Sequence, residues 1–220
     1  MSIKQKVGLL TIGQSPRTDI TPTIQSIIGP HIDIVEAGAL DFLSEAELTK
    51  VRPKATDAVF VSRLRNGQSI HINKAALLPL LEKALKRIED HVSVIIMLCT
   101  GDVPSLTSVK PIIYPDKLLK HLIYGIHGNE KIGIIVPVES QKTTLLHKWG
   151  NIDVVAEAAS PYEDREIKGA AQSLKAQGAS LLVLDCIGYQ EKHKQEAFSA
   201  TGLPVILPQT LVARVAAELV

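Results

Sequence analysis

Short apolar runs alternate with amphipathic stretches along most of the chain. This pattern is typical of βαβ units around a parallel sheet, because strands covered on both faces are apolar throughout while the covering helices are apolar on one side. The apolar runs predict strands over 6–12, 31–36, 92–98, 131–136, 152–157, 180–185 and 203–206. The amphipathic stretches predict helices over 16–28, 74–90, 115–126, 140–149, 162–177, 190–200 and 208–219. The predicted fold class is therefore α/β with parallel sheets.

Two of the helices carry clear boundary signals. Asn73 suits the N-cap of the helix over 74–90, in which leucines recur at helical spacing with lysines opposite. Gly178 follows the helix over 162–177 and suits the glycine position just past a helix end.

One segment interrupts the alternation of strands and helices. Two β-rich runs flank Asn66-Gly67, a dipeptide that favours tight hairpin turns. We therefore predict a β-hairpin over 57–72, inserted into an α/β lobe.

The chain also contains a faint internal repeat. The run Lys6-Val7-Gly8-Leu9-Leu10 resembles Lys131-Ile132-Gly133-Ile134-Ile135, and in each half a later strand ends at a cysteine. The repeat predicts two α/β lobes related by a pseudo-twofold axis, with the active-site cleft between them.

Composition and charge exclude several classes of partner. The chain has 220 residues, of which 45% are hydrophobic and 4% aromatic, and a net charge of +1. Neither a basic surface nor stacking aromatics are available in the amounts that nucleic acid or an anionic membrane would need.

The first apolar run, over 7–12, is too short for a signal peptide or a membrane span, so we expect a cytoplasmic protein. A homodimer is common at this size.

The two cysteines are the candidate catalytic residues. Cys99 closes the apolar run 92–98, and Cys186 closes the run 179–185; each is followed two residues later by a glycine. Backbone N–H groups at the carboxyl end of a strand favour a thiolate, which is the form of cysteine that acts as base or nucleophile. The alternative is that both are small buried hydrophobic residues, as unpaired cysteines often are.

Polar residues after the first strand of each half are the candidate substrate contacts. Gln14, Ser15 and Arg17 surround Pro16 in a turn suited to anions, where Arg17 would clamp a carboxylate. The alternative is a capped helix with Arg17 on the surface. Glu139 and Ser140 occupy the matching turn of the second half, although Ser140 also suits an N-cap.

Familiar cofactor and metal motifs are missing from the sequence. It has no phosphate-binding G-x-x-x-x-G-K-[ST] loop, no G-x-G-x-x-G fingerprint and no G-x-S-x-G elbow. It also has no H-x-x-x-H or C-x-x-C pair, so we expect neither a cofactor nor a metal.

Several segments together resemble the AroM family, within the aspartate/glutamate/hydantoin racemase superfamily. The segments are Leu10-Thr11-Ile12-Gly13, Gly133-Ile134-Ile135-Val136-Pro137-Val138-Glu139, Leu184-Asp185-Cys186-Ile187-Gly188 and the C-terminal run 211–219. The resemblance implies two flavodoxin-like lobes, with the last helix returning to the first lobe. The implied lobes are 1–113 plus 207–220, and 114–206.

The resemblance also implies a reaction. In the racemases one cysteine removes the α-proton of a carboxylate substrate and the other reprotonates the opposite face, without a cofactor; Cys99 and Cys186 fall on those positions. The neighbouring Thr100, Gly101 and Gly188 then become candidate substrate contacts. Amino-acid racemases usually carry Cys-Asn-Thr and Gly-Cys-Thr-His, whereas this chain has Cys99-Thr100-Gly101 and Asp185-Cys186-Ile187.

These departures keep other functions open. The leading hypothesis is a racemase or isomerase acting on a small carboxylate or amide-like substrate by cysteine acid/base chemistry. The alternatives are a single-cysteine decarboxylase or cis–trans isomerase, and a metabolite-binding or regulatory protein without catalysis.

Overall fold

The computed structural model describes residues 5–54, 59–126, 128–150, 152–162 and 166–220, with the backbone alone at 144–147. The strands are β1 Lys6–Thr11, β2 Asp33–Gly38, β3 Val59–Arg63, β4 Ser69–Asn73, β5 Val94–Leu98, β6 Ile112–Ile113, β7 Lys131–Val136, β8 Val154–Ala158, β9 Ala179–Leu184 and β10 Val205–Ile206. The helices are α1 Thr21–Ile28, α2 Glu45–Lys50, α3 Lys74–Leu85, α4 Pro115–Ile126, α5 Gln141–Lys148, α6 Glu166–Ala176, α7 Glu191–Thr201 and α8 Pro208–Ala217. The α/β class is confirmed.

The chain forms two compact units, Met1–Asp116 with Val212–Val220, and Lys117–Leu211. The first contains a parallel sheet in the order β2-β1-β5-β6. Its β5 is buried along its whole length, as the continuous apolar run 92–98 predicts.

The second unit contains a parallel sheet in the order β10-β9-β7-β8. Alternate residues of its strands pack into two cores, because successive side chains on a strand point to opposite faces. Leu182 and Leu184 of β9 belong to one core, and Val183 to the other.

The two sheets have the same internal order of strands. In each, the Lys-aliphatic-Gly strand, β1 or β7, lies between an edge strand and the strand that precedes a cysteine, β5 or β9. The faint sequence repeat therefore corresponds to a repeat of sheet topology. The cleft expected between the lobes, and the lobe boundaries inferred from the resemblance, stay predictions.

The predicted hairpin is confirmed over its described residues, whereas 57 and 58 lie outside them. β3 and β4 pair in antiparallel fashion from Val59–Asn73 to Arg63–Ser69. Gly67 has a φ of 81°, a left-handed conformation that glycine adopts without steric cost. Phe60, Ile70 and Ile72 attach the hairpin to the hydrophobic core of the first unit.

Some element boundaries differ from the sequence prediction. The first helix begins at Thr21 rather than at residue 16, because the Ile20 N–H closes a turn onto the Arg17 carbonyl three residues back, whereas an α-helix would bond it four residues back. The helix predicted over 74–90 ends at Leu85 and is followed by a short 3-10 helix, Glu89–His91.

Two short elements were not predicted. The helix α2 begins with a capping box between Ser44 and Glu47, a signal present in the sequence. The two-residue strand β6 is defined by its pairing with β5. Across the described residues, every helix is too short or too polar to cross a bilayer.

Candidate active site

The backbone register places the two cysteines at equivalent positions of the two sheets. Leu98 pairs with Thr11, the last residue of β1, and Cys99 follows directly. In the second sheet Leu184 pairs with Ile135, the Asp185 N–H donates to the Ile135 carbonyl at 2.8 Å, and Cys186 follows. Asp185 is thus the counterpart of Leu98, and each thiol stands one residue beyond the end of its neighbouring Lys-aliphatic-Gly strand.

Each thiol accepts the same local hydrogen bond. The Gly101 N–H lies 3.4 Å from Cys99 Sγ, and the Gly188 N–H lies 3.4 Å from Cys186 Sγ. An N–H donor aimed at sulfur favours the thiolate over the neutral thiol, since hydrogen bonds to an ionised group are stronger. The Cys-x-Gly spacing therefore supplies each sulfur with a donor from its own turn.

An aromatic ring covers each of these turns. A Cβ atom built on Gly101 would lie 2.5 Å from Cε1 of Phe60, and one built on Gly188 would lie 2.5 Å from the hydroxyl of Tyr162. Phe60 comes from the hairpin and is only 9% exposed, whereas Tyr162 is 41% exposed. Cys99 is buried and Cys186 is half-buried. The two thiols thus share a backbone geometry but differ in cover and in access to solvent.

A partly buried ion pair includes Asp185, the residue before Cys186. Lys148 Nζ contacts both carboxylate oxygens of Asp185, at 3.1 and 2.8 Å, and only 2% of the Asp185 side chain is exposed. This ion pair joins the end of β9 to α5, the helix that carries Lys148.

Tyr189 closes the turn that carries Cys186. Its N–H donates to the Cys186 carbonyl at 3.3 Å, and its hydroxyl donates to the Ala159 carbonyl at 2.6 Å. Burial, followed by the negative charges of Cys186 and Asp185, raises the pKa of Tyr189 well above its ordinary value. Tyr189 is therefore a neutral hydrogen-bond donor and a structural anchor of the turn.

The turn after β1 does bind a carboxylate, and that carboxylate belongs to the chain itself. Asp41 accepts from the Ser15 N–H, the Ser15 hydroxyl and the Gly38 N–H, each at 2.7 Å. Arg65 lies 3.4 Å away on the hairpin. Gln14 is engaged as well, because its amide bonds to the Leu40 carbonyl and to the Arg65 N–H.

Arg17 is buried, not a surface residue. It is 4% exposed, and its guanidinium holds Asp19 through two bonds of 2.9 and 2.8 Å. Burial alone would raise the pKa of Asp19, but the hydrogen bonds and charge of Arg17 outweigh that effect and lower it. The Arg17 guanidinium, which was expected to bind a substrate carboxylate, therefore already binds the carboxylate of Asp19.

The hairpin also covers the turn after β1. A Cβ atom at Gly13 would collide with the Arg63 carbonyl and the Ser62 hydroxyl. The Gln14 N–H donates to the same Arg63 carbonyl at 3.0 Å. Strand β3 thus spans two neighbouring loops, with Phe60 over the Cys99 turn and Arg63 over Gly13.

Glu139 and Ser140 are exposed at the carboxyl end of β7. Glu139 lies 3.0 Å from Lys142, and hydrogen bonding to Glu139 and then to Glu157 raises the pKa of that lysine. Glu139 also lines an open depression of about 340 Å³ between the loops after β7 and β8. Among the described residues, neither thiol lines it.

The described part of the chain contains no group of three or more His, Cys, Asp or Glu residues arranged to hold a metal ion. Sequence reasoning missed Phe60, Tyr162, Lys148 and Asp41. Phe60 could have been identified from the sequence, because it is a large apolar residue within the predicted hairpin and so was expected to pack against the lobe. The others are brought to the site by contacts distant in sequence.

The family model of the AroM protein matches residues 7–220. The chain belongs to the AroM family. The match covers both cysteines of this AroM-family protein, all of β7, and all of β1 except Lys6. No curated protein sequence matches the chain.

Three solved structures share the fold of this AroM-family protein. The maleate isomerase Iso from Pseudomonas putida S16 has a TM-score of 0.62 at 13% identity, over 97% of this chain and 92% of that one. Glutamate racemase from Aquifex pyrophilus has a TM-score of 0.58 at 16% identity, over 98% and 84%. Unliganded arylmalonate decarboxylase has a TM-score of 0.60 at 8% identity, over 98% and 92%. At these identities the likeness shows a common fold and not a common reaction.

Proposed function

We propose that this AroM-family protein is a cofactor-independent racemase- or isomerase-like enzyme for a small carboxylate or amide-like substrate, with Cys99 and Cys186 as its acid/base pair. The observation that supports the proposal is the matched pair of Cys-x-Gly turns, in which each sulfur accepts an N–H at 3.4 Å from the second residue after it. Inversion at a carbon next to a carbonyl needs one base and one acid, and two thiols in matched turns meet that need.

The proposed step moves one proton on each side of the substrate. One cysteine acts as thiolate and takes the α-proton, which forms its S–H bond and leaves the electron pair on the substrate as an enolate. The other cysteine acts as thiol and gives its proton to the opposite face, becoming a thiolate. Turnover in the reverse direction, or exchange with water, restores the starting state.

The substrate contacts in this proposal follow the strands that carry the thiols or the strand next to one of them. Thr100 and Gly101 follow Cys99, and Gly188 follows Cys186; Glu139 and Ser140 extend from the end of β7. Gln14, Ser15 and Arg17 act indirectly, because their polar groups bond to Arg65, Asp41 and Asp19. They shape the loop after β1 that a substrate carboxylate would approach.

The proposal is tested by NMR in deuterium oxide together with chiral chromatography, on single enantiomers of small 2-substituted carboxylates, amino acids and hydantoins. The wild type is expected to convert one enantiomer of its substrate into the other while incorporating deuterium at the α-carbon. Cys99→Ser and Cys186→Ser should each lower racemisation by about 10²-fold or more. Ser108→Ala, which removes a hydroxyl bonded to Glu89, is the matched control and should keep wild-type activity. Racemisation that persists in either cysteine variant would overturn the two-thiol chemistry.

A single-cysteine reaction is the second candidate, and the different environments of the two thiols favour it. Cys99 is buried and its turn is covered by Phe60, whereas Cys186 is more exposed and directly follows Asp185 of the Lys148–Asp185 ion pair. The structural neighbours include a maleate isomerase and an arylmalonate decarboxylase. If decarboxylation or cis–trans isomerisation is found, Cys99→Ser should keep most of it and Cys186→Ser should lose it.

A further inference from the structure

The peptide group between Ile187 and Gly188 has a contact at each end. Its N–H, on Gly188, donates to Cys186 Sγ at 3.4 Å. Its carbonyl, on Ile187, accepts from Nε2 of Gln209 at 2.8 Å. Because a peptide group is planar, fixing the carbonyl also fixes the direction of the N–H. Gln209 therefore controls where the donor to the sulfur points.

Gln209 is placed by a distant part of the chain. It is the second residue of α8, lies 22 positions after Ile187 and has no exposed surface. Tyr189 fixes the other end of the same turn through its bond to the Ala159 carbonyl. The turn of Cys186 is thus held from two sides by buried side chains.

The glutamine amide makes one buried hydrogen bond and, within the described part of the chain, leaves one buried acceptor unpaired. Its Oε1 is buried and has no hydrogen-bond partner among the described residues. An unsatisfied buried acceptor costs free energy, which a leucine or methionine of similar size would avoid. The amide is useful at this position because its N–H reaches the Ile187 carbonyl.

We propose that Gln209 is a positioning residue for the Cys186 thiolate, acting through the Ile187–Gly188 peptide group; this inference rests on the proposed acid/base role of Cys186. A donor on the carbonyl polarises the peptide and strengthens the N–H bond at its other end. The bond to sulfur then stabilises the thiolate, which is the form that removes a proton. Gln209 itself touches neither the sulfur nor the substrate in this scheme.

The test measures how fast each thiol is alkylated by iodoacetamide, with the Cys99 and Cys186 peptides quantified separately by mass spectrometry. The variants are Gln209→Met, which removes the donor with little change in volume, and Gln209→Glu. Gln25→Met is the matched control, because the Gln25 amide also donates to backbone carbonyls, those of Gly29 and Ile32, but on α1. Cys99 serves as an internal reference within each molecule.

At pH 7 we expect Gln209→Met to slow alkylation of Cys186 by about three- to tenfold and to leave Cys99 unchanged. A simple loss of packing would instead expose the thiols and speed their alkylation. In Gln209→Glu the slowing should grow with pH, because the ionised carboxylate cannot donate to a carbonyl and opposes a nearby thiolate. Gln25→Met should change neither rate.

The inference is overturned if iodoacetamide alkylates Cys186 in a folded Gln209 variant at the wild-type rate or faster. Should Gln209→Met fail to fold, the test uses Gln209→Glu alone, and the measured quantity is the rate of Cys186 alkylation as a function of pH. The readout needs no substrate, so it is separate from the proposed function. Racemisation absent in the wild type would reject that function, whereas unchanged Cys186 reactivity in an enzyme that racemises would reject the role of Gln209 alone.

Discussion

Ser15 donates both its backbone N–H and its hydroxyl to the carboxylate of Asp41, at 2.7 Å each. The turn after β1 has the anion-binding character that its sequence predicts, and the anion it holds comes from the loop after β2. Asp41 therefore holds the loop after β1 against the end of β2.

We expect Asp41→Asn to destabilise the protein by about 2–3 kcal/mol, because charge-assisted bonds to Ser15 and Gly38 are lost or weakened. Asp153→Asn is the control; that carboxylate is 65% exposed and pairs with Lys131 only at 3.8 Å, so its loss should cost less than about 1 kcal/mol. Urea denaturation at neutral pH measures both. Equal stabilities of the two variants would show that Asp41 does not hold the turn.

The ion pair beside Cys186 gives a second prediction. Lys148→Met leaves the charge of Asp185 buried without its lysine, and we expect a loss of about 3–5 kcal/mol in unfolding free energy. The double variant Lys148→Met/Asp185→Leu should recover much of that loss, since it removes both charges. Lys74→Met is the control, because its partner Asp102 is 87% exposed. A double variant no more stable than Lys148→Met would contradict this account.

The two turn glycines should respond differently to the same substitution. Neither has a positive φ, so the cost of Gly101→Ala or Gly188→Ala comes from the ring above it. Phe60 is buried and cannot move aside, whereas the exposed Tyr162 can. We expect Gly101→Ala to cost about 1–3 kcal/mol more than Gly188→Ala in denaturant unfolding.

Gly169→Ala is the matched control for these glycines. Gly169 lies in α6 with nothing within 4 Å of a Cβ atom, so alanine should stabilise the protein by about 0.5–1 kcal/mol. Adding Phe60→Leu to Gly101→Ala should restore part of the lost stability. Without such recovery, the contact with Phe60 is not the cause.

The Arg17–Asp19 pair predicts a pH dependence of stability. Arg17 lowers the pKa of Asp19 below the ordinary value of 3.8 despite burial. A lowered folded-state pKa means that the stabilisation is present above pH 3.8 and is lost as the pH falls through the folded-state value. Asp19→Asn should therefore be less stable than wild type by about 1–2 kcal/mol at pH 7, with the difference shrinking below pH 3.8. Urea denaturation at pH 7 and at a pH below 3.8 checks this. A difference in unfolding free energy between the two proteins that does not change with pH would refute it.

Most of the regular structure was predictable because its signals are local. The strands β1, β5, β7 and β9 are continuous apolar runs, and Asn66-Gly67 marks the hairpin. The start of α1 was not predictable in this way. The segment before it is held by Glu36, a residue of β2 whose side chain accepts from the backbone N–H of Arg17. The strand β6 likewise exists only through its pairing with β5.

The sequence by itself determined where the thiols stand. A buried parallel strand must be apolar, so each cysteine that closes such a run comes at the carboxyl end of its strand, and the glycine two residues later supplies the N–H. These features depend on residues adjacent in the chain, and local patterns report them.

Only the tertiary structure decided what surrounds the thiols. Phe60 covers Gly101 from a hairpin, Lys148 reaches Asp185 from 37 residues away, and Gln209 reaches Ile187 from 22. The polar side chains of Ser15 and Arg17, which read as substrate contacts in the sequence, are paired with Asp41 and Asp19. A side chain's type shows what it can bind, but its partner is chosen by which segments folding brings together and by the cost of leaving a buried polar group without one.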